Sequence, residues 1–181
     1  MTETPTSSGK RPRGFETAGD MVRSLALVLV VVVVVFLLTV RDEPDQQITP
    51  IDYTAQLDAA RAQAAYDVLA PVGLGAGWRA TSARGSTEGG AVTWHLGLVT
   101  PADDYAAVEQ SDGARATFLD EFTSGSERAG QVTIDGLAWQ RLDGGEPERR
   151  ALLRTSGAAT TLVAGSASWG ELRRLAASLR P

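Results

Sequence analysis

The sequence has no cysteine, a single histidine and a single lysine. Without cysteine there is no disulfide framework, no thiolate metal site and no cysteine nucleophile. One histidine excludes a multi-histidine metal centre of the usual kind, so neither a metal nor a cofactor is expected. Charge is also sparse, at 22% of residues with a net of -5, and the arginines are scattered. Binding to a phosphate backbone needs a concentrated basic face, so a nucleic-acid partner is not expected. A chain of 181 residues leaves room for one folded domain and little else.

What is abundant is hydrophobicity in one place. Residues 24–40, SLALVLVVVVVVFLLTV, run without charge, proline or glycine between Arg23 and Arg41. As a helix at about 1.5 Å per residue this stretch reaches about 26 Å, close to the thickness of a bilayer core. A cleaved signal peptide has a shorter apolar region followed by a small-x-small site. Here Thr39-Val40-Arg41-Asp42-Glu43-Pro44 follows instead, so an uncleaved anchor in the lipid bilayer through residues 24–40 is expected. Residues 1–23 carry four basic and three acidic side chains, and residues 41–181 carry thirteen and nineteen. The charge therefore divides into +1 before the run and -6 after it. Basic residues beside a span favour the cytoplasmic side. The expected organisation is a disordered cytoplasmic tail over 1–20 and a single transmembrane helix over 21–41. A linker over 42–52 and an extracytoplasmic domain over 53–181 follow, in the cell membrane with the N-terminus inside.

Within the domain the pattern is α+β: an antiparallel β-sheet with helices packed on one side. A helix is expected over 53–65, then a strand over 66–71 ending at Pro71. Strands are expected over 78–84, 91–100 and 105–110. On the second of these Val92, Trp94, Leu96 and Leu98 share one face, and Thr93, His95 and Gly97 the other. A helix over 114–123 follows, carrying Phe118, Leu119 and Phe122. Two hairpins come next, 131–134 with 137–142 around Asp135-Gly136, and 150–155 with 160–164 around Ser156-Gly157. Ser168 and Glu171 mark a capping box for a last helix lined by Leu172, Leu175, Ala176 and Leu179.

These residues resemble a known family. Ala64 to Pro71, Gly77-Trp78-Arg79-Ala80-Thr81-Ser82, Trp94 to Pro101 and Tyr105 to Ser111 are similar to the DUF4245 proteins of actinobacteria. Trp139-Gln140-Arg141, Arg150-Ala151-Leu152 and Glu171 to Leu179 continue the likeness. It covers nearly the whole chain, and its motifs are structural, so it supplies no catalytic residues. A weaker, architectural similarity runs to extracytoplasmic domains of the RseB-like and DUF4367 groups. It rests on Val68, Pro71, Leu74, Gly77 and Trp78 and on the span from Trp139 to Leu179. Likeness of fold does not transfer function.

Candidate chemistry is thin. Gly73-Leu74-Gly75-Ala76-Gly77 precedes a tryptophan-led strand rather than a helix, so it reads as a turn and not a phosphate loop. Asp103, Asp104, Glu109 and Asp112 lack the spacing of a calcium loop. Gly165 to Gly170 is not a nucleophile elbow. Lys10 precedes the apolar run, so it offers no base to a domain serine. His95 has no serine or carboxylate tied to it by sequence. Trp78, Trp94 and Trp139 are expected to fill the core, leaving Trp169 nearest the surface. Arg149, Arg150, Arg154, Arg173 and Arg174 form a mixed-charge face with Glu146, Glu148 and Glu171.

The expected function is therefore non-catalytic. The domain would dock a protein partner or a cell-envelope ligand, with Trp169, Arg149, Arg173 and His95 as candidate contacts. An accessory subunit of a membrane complex is the alternative, and an envelope enzyme using His95 with the acids near Asp103 is a third reading.

Overall fold

The computed structural model describes the backbone of residues 14–39, 49–144 and 149–181, and the side chains of these except 14–20 and 36–39. The chain forms two units, divided between residues 47 and 48. In the first, helix α1 spans Gly14–Thr39. It begins upstream of residue 21 because no proline interrupts residues 14–20. Among the described residues no helix is long and apolar enough to cross a membrane, so the span expected over 21–41 is not found there. The end of the run, the linker over 42–48 and the tail over 1–13 lie outside the described residues.

The second unit is α+β, an antiparallel sheet with two of its helices packed on one side. Its elements are α2 Thr54–Gln63, β1 Ala70–Pro71, β2 Arg79–Glu88, β3 Ala91–Val99, β4 Tyr105–Ser111 and α3 Arg115–Thr123. They continue with β5 Ser126–Ile134, β6 Leu137–Gly144, β7 Arg149–Ser156, β8 Ala159–Gly165, α4 Trp169–Ser178 and β9 Leu179–Arg180. Seven strands form one sheet in the order β2-β3-β4-β8-β7-β6-β5, every pair antiparallel. Gly89 and Gly90, both at positive φ, close the β2–β3 hairpin, a conformation that favours glycine.

One face carries the main core: Trp94, Leu96 and Leu98 of β3, Val108 of β4, Trp139 of β6, Leu152 of β7 and Val163 of β8. Leu57 and Ala60 of α2 and Leu172, Leu175 and Ala176 of α4 cover it. Each fully buried leucine contributes about 1.5–3 kcal/mol by leaving water. The capping box holds as read: Ser168 Oγ accepts from the Glu171 amide, and the Glu171 carboxylate accepts from the Ser168 amide. The opposite face carries a smaller cluster in which Phe118 of α3, with Leu119 and Phe122, rests on Leu142, Ala151, Leu153, Leu162 and Ala164.

Three expectations are corrected. The strand over 66–71 shrinks to Ala70–Pro71, which pairs with Leu179–Arg180. Side chains hold the rest of that segment in place of a ladder: Leu69 N–H donates to Gln110 Oε1 at 2.6 Å, and Tyr66 O–H reaches the Val92 carbonyl at 3.1 Å. Leu179 is not on the last helix, because its backbone turns extended after Ser178 and joins β9. Strand β5 begins at Ser126, with a register shift between Arg128 and Gln131 where Gly130 takes positive φ.

Candidate functional site

The site grows out of strand register on the face opposite the main core. Arg84 of β2 lies opposite His95 of β3, and His95 lies opposite Glu109 of β4. Side chains alternate across a sheet, so the next row on the same face is two residues along. That row runs Gly97, Ala107, Ala164, Ala151. A line of residues with almost no side chain leaves a trough. Tyr105 borders it further along β4, and Arg149 does so at the start of β7. The result is a pocket of about 170 Å³ lined by Arg84, His95, Tyr105, Glu109, Phe122 and Arg149 over a floor of Ala107, Ala164 and Gly165.

His95 is 6% exposed and bridges two partners. Its Nδ1–H donates to Glu109 Oε1. Its Nε2 lies 2.9 Å from Ser82 Oγ, accepting from the hydroxyl when the ring is neutral and donating to it when cationic. Ser82 shares this face because the register shifts between Ala80 and Ser82, a bulge that re-aims the strand. A methyl group on Gly97 would stand 2.4 Å from Ser82 Oγ, 3.1 Å from Tyr105 Oη and 3.3 Å from His95 Nε2, so three polar groups converge on its bare Cα.

The electrostatics are uneven. Burial raises the Glu109 carboxyl above its ordinary pKa, against the opposing pull of the His95 hydrogen bond and charge and of Arg84. Burial also raises the Tyr105 phenol, and the Glu109 charge pushes the same way. Glu109 Oε2 is buried with no hydrogen-bond partner among the described residues. Arg84 and Arg149 are exposed, and neither guanidinium makes a hydrogen bond or ion pair with another described residue.

Of the residues singled out from sequence, the structure brings His95 and Arg149 together here and sends the other two elsewhere. Trp169 and Arg173 lie on α4, across the sheet. Trp169 is half-buried against the main core, and the Arg141 guanidinium stacks on its ring at 4.0 Å, so the chain itself covers that ring. Arg173 is exposed. The arginine cluster is dispersed: Arg150 donates to the Ser166 carbonyl at 3.1 Å, and Arg154 sits over Trp139 at 5.8 Å. Its partners Glu146 and Glu148 lie outside the described residues.

Of the acids in the group that begins at Asp103, Glu109 is the one beside His95, while the Asp103 carboxylate is occupied by Arg79 at 2.5 Å. Trp94 and Trp139 fill the core as expected, whereas Trp78 is only half-buried and precedes its strand. Sequence reading missed Ser82, Arg84 and Tyr105, and weighed Glu109 only within the acidic group that begins at Asp103. Folding the β3–β4 hairpin about residues 100–104 would have set Glu109 opposite His95. Among the described residues no group of histidine and carboxylate side chains is placed to hold a metal ion.

The hydroxyl–imidazole–carboxylate order is that of nucleophilic hydrolases. Here, however, Ser82 stands within a strand and lies outside the lining of the pocket. An exposed serine on a sharp strand-to-helix turn is the geometry that chemistry uses. No curated protein and no solved structure matches the chain. A match over residues 13–179 shows that the chain belongs to the family described as protein of unknown function (DUF4245).

Proposed function

We propose that this is a single-pass membrane protein whose domain at 53–181 lies outside the cytoplasm and acts as a non-catalytic binding module. Its ligand is an anionic group of an envelope component or partner protein, received in the pocket between Arg84 and Arg149. One observation carries the reading: two guanidinium groups that meet no acceptor among the described residues flank a pocket whose floor is kept open by glycine and alanine. Guanidinium donates in a fixed fork that matches carboxylate or phosphate. The tether rests on the uncharged run at 24–40 and the basic residues before it.

The test uses the full chain in mild detergent, carrying a purification tag free of histidine. His95 is the only histidine, so its imidazole resonances report on the pocket alone. Titration with inorganic phosphate is expected to shift them saturably in the native chain, and Arg84→Gln with Arg149→Gln should abolish the shift. An imidazole unresponsive to phosphate and to organic acids alike would overturn the reading. Resistance to alkaline extraction from membranes tests the tether.

The enzyme reading is favoured by the Ser82–His95–Glu109 hydrogen-bond chain. It predicts covalent labelling of Ser82 by a fluorophosphonate, lost in Ser82→Ala.

A further inference from the structure

We infer that the ligand of this pocket is a hydroxylated oxyanion, a short polyol bearing a phosphate or carboxylate, whose hydroxyl donates to Glu109 while its acid group meets Arg84 and Arg149. The inference rests on the binding role proposed above and adds the chemistry of the occupant.

The donor side of the pocket is generous. Arg84 and Arg149 offer only N–H groups, and Tyr105 adds a phenol. These groups call for an oxyanion. Bare phosphate, however, would set its charge against Glu109, which lines the same pocket. Glu109 is 4% exposed, and its Oε2 is buried without a partner among the described residues. Neither ring nitrogen of His95 can supply that oxygen. Nδ1 of His95 is committed to the other carboxylate oxygen, and Nε2 to Ser82. A buried acceptor cut off from water and left unpaired is destabilising until a donor reaches it. A hydroxyl on the carbon chain next to the acid group supplies that donor and separates the two negative charges.

Size agrees. At about 30 Å³ per water, the 170 Å³ pocket holds roughly five or six waters, the space of a few hydroxylated carbons with one acid group. The opening is also protected against narrowing. A Cβ on Gly165 would lie 2.1 Å from the Tyr105 carbonyl, so no side chain fits at that point of the floor. One wall is the Phe122 ring of α3, which confines the ligand without offering it a polar partner.

The proposal is tested on the full chain in detergent by comparing ligands that differ only in hydroxyls: glycerol 3-phosphate against propyl phosphate, and glycerate against propanoate. The His95 imidazole shift and calorimetry serve as readouts. At least one hydroxylated acid is expected to bind about tenfold tighter than its hydroxyl-free partner, the effect of one hydrogen bond to a buried carboxylate. The tighter pair identifies phosphate or carboxylate as the acid. In Glu109→Gln that preference should fall below about twofold while the dependence on Arg84 and Arg149 persists. Equal affinities within both pairs would overturn this inference and leave the anion-binding role standing. No response to any of the four would overturn both. Because the comparison is made on the native chain, it holds even where a variant fails to fold.

Discussion

The two faces of the sheet are built from the same strands and do different work. Toward α2 and α4, β3 presents Trp94, Leu96 and Leu98, and β7 presents Leu152. Toward α3 the same strands present His95, Gly97, Ala151 and Leu153. The first face is closed by large apolar side chains, the second only in part, by one short helix. A face made of small and charged residues buries less apolar surface, and so adds less stability per residue. In return it leaves space in which charge can be arranged. The alternation of a strand thus lets one sheet carry a core and a pocket back to back.

Substitutions should separate the two faces by size of effect. Leu172→Ala removes a fully buried side chain from the first face and is expected to cost about 2–5 kcal/mol in urea unfolding. Gly97→Ala on the second face should cost about 1–3 kcal/mol despite adding apolar surface, because the new methyl displaces Ser82 Oγ. It should also move the His95 imidazole signal, which Leu172→Ala should leave in place. Ser168→Ala loses the cap of α4 and is expected to cost about 1 kcal/mol. Arg84→Gln and Arg149→Gln should each change stability by less than about 0.5 kcal/mol, since both are exposed and neither guanidinium has a hydrogen bond or ion pair to lose among the described residues. A large loss of stability from either arginine would erase the distinction between a face for folding and a face for binding.

The pH dependence of stability sharpens the same contrast. Because the Glu109 pKa is raised on folding, the folded chain holds that proton at pH values where the unfolded chain has released it. Its contribution therefore falls as pH rises from the ordinary glutamate range through the folded-state value. Arg84, His95, Tyr105 and Glu121 are the charged or titratable neighbours that set its size. Asp52 and Glu171 have lowered pKa values from their hydrogen bonds, so they act with the opposite sign and lose stability as pH falls. Subtracting the profile of Glu109→Gln from that of the native chain isolates the buried carboxyl. A difference that does not vary with pH would show that the folded environment leaves it unperturbed.

Much of this architecture was legible in the sequence, and the failures have physical causes. The period-two pattern of residues 91–99 identified β3 and its apolar face, and Ser168 with Glu171 located the start of α4. Register across strands was harder, since pairing depends on turn length. The bulge at residues 80–82 puts Ser82 in phase with His95, and no residue in Ala80-Thr81-Ser82 announces it. The segment around Tyr66 alternates as a strand would, yet it is held by Gln110 from β4, a contact no local pattern encodes. Arg149 was noticed as part of a charge cluster. Only the topology, which sets β8 between β4 and β7, carries it to the pocket of His95.

That same topology has a kinetic consequence. Strands β2, β3 and β4 form one local meander, and β5 to β8 form another, with only a few residues between successive strands of each. The two meet only where β4 pairs with β8, between residues about 50–60 apart in the chain. Closing that gap costs loop entropy before any contact repays it, so the docking of two preformed hairpin stacks is expected to set the folding rate. Glu109 of β4 and Leu162 of β8 lie opposite each other at this seam. The pocket therefore depends on this one pairing, which brings its two arginines to the same trough.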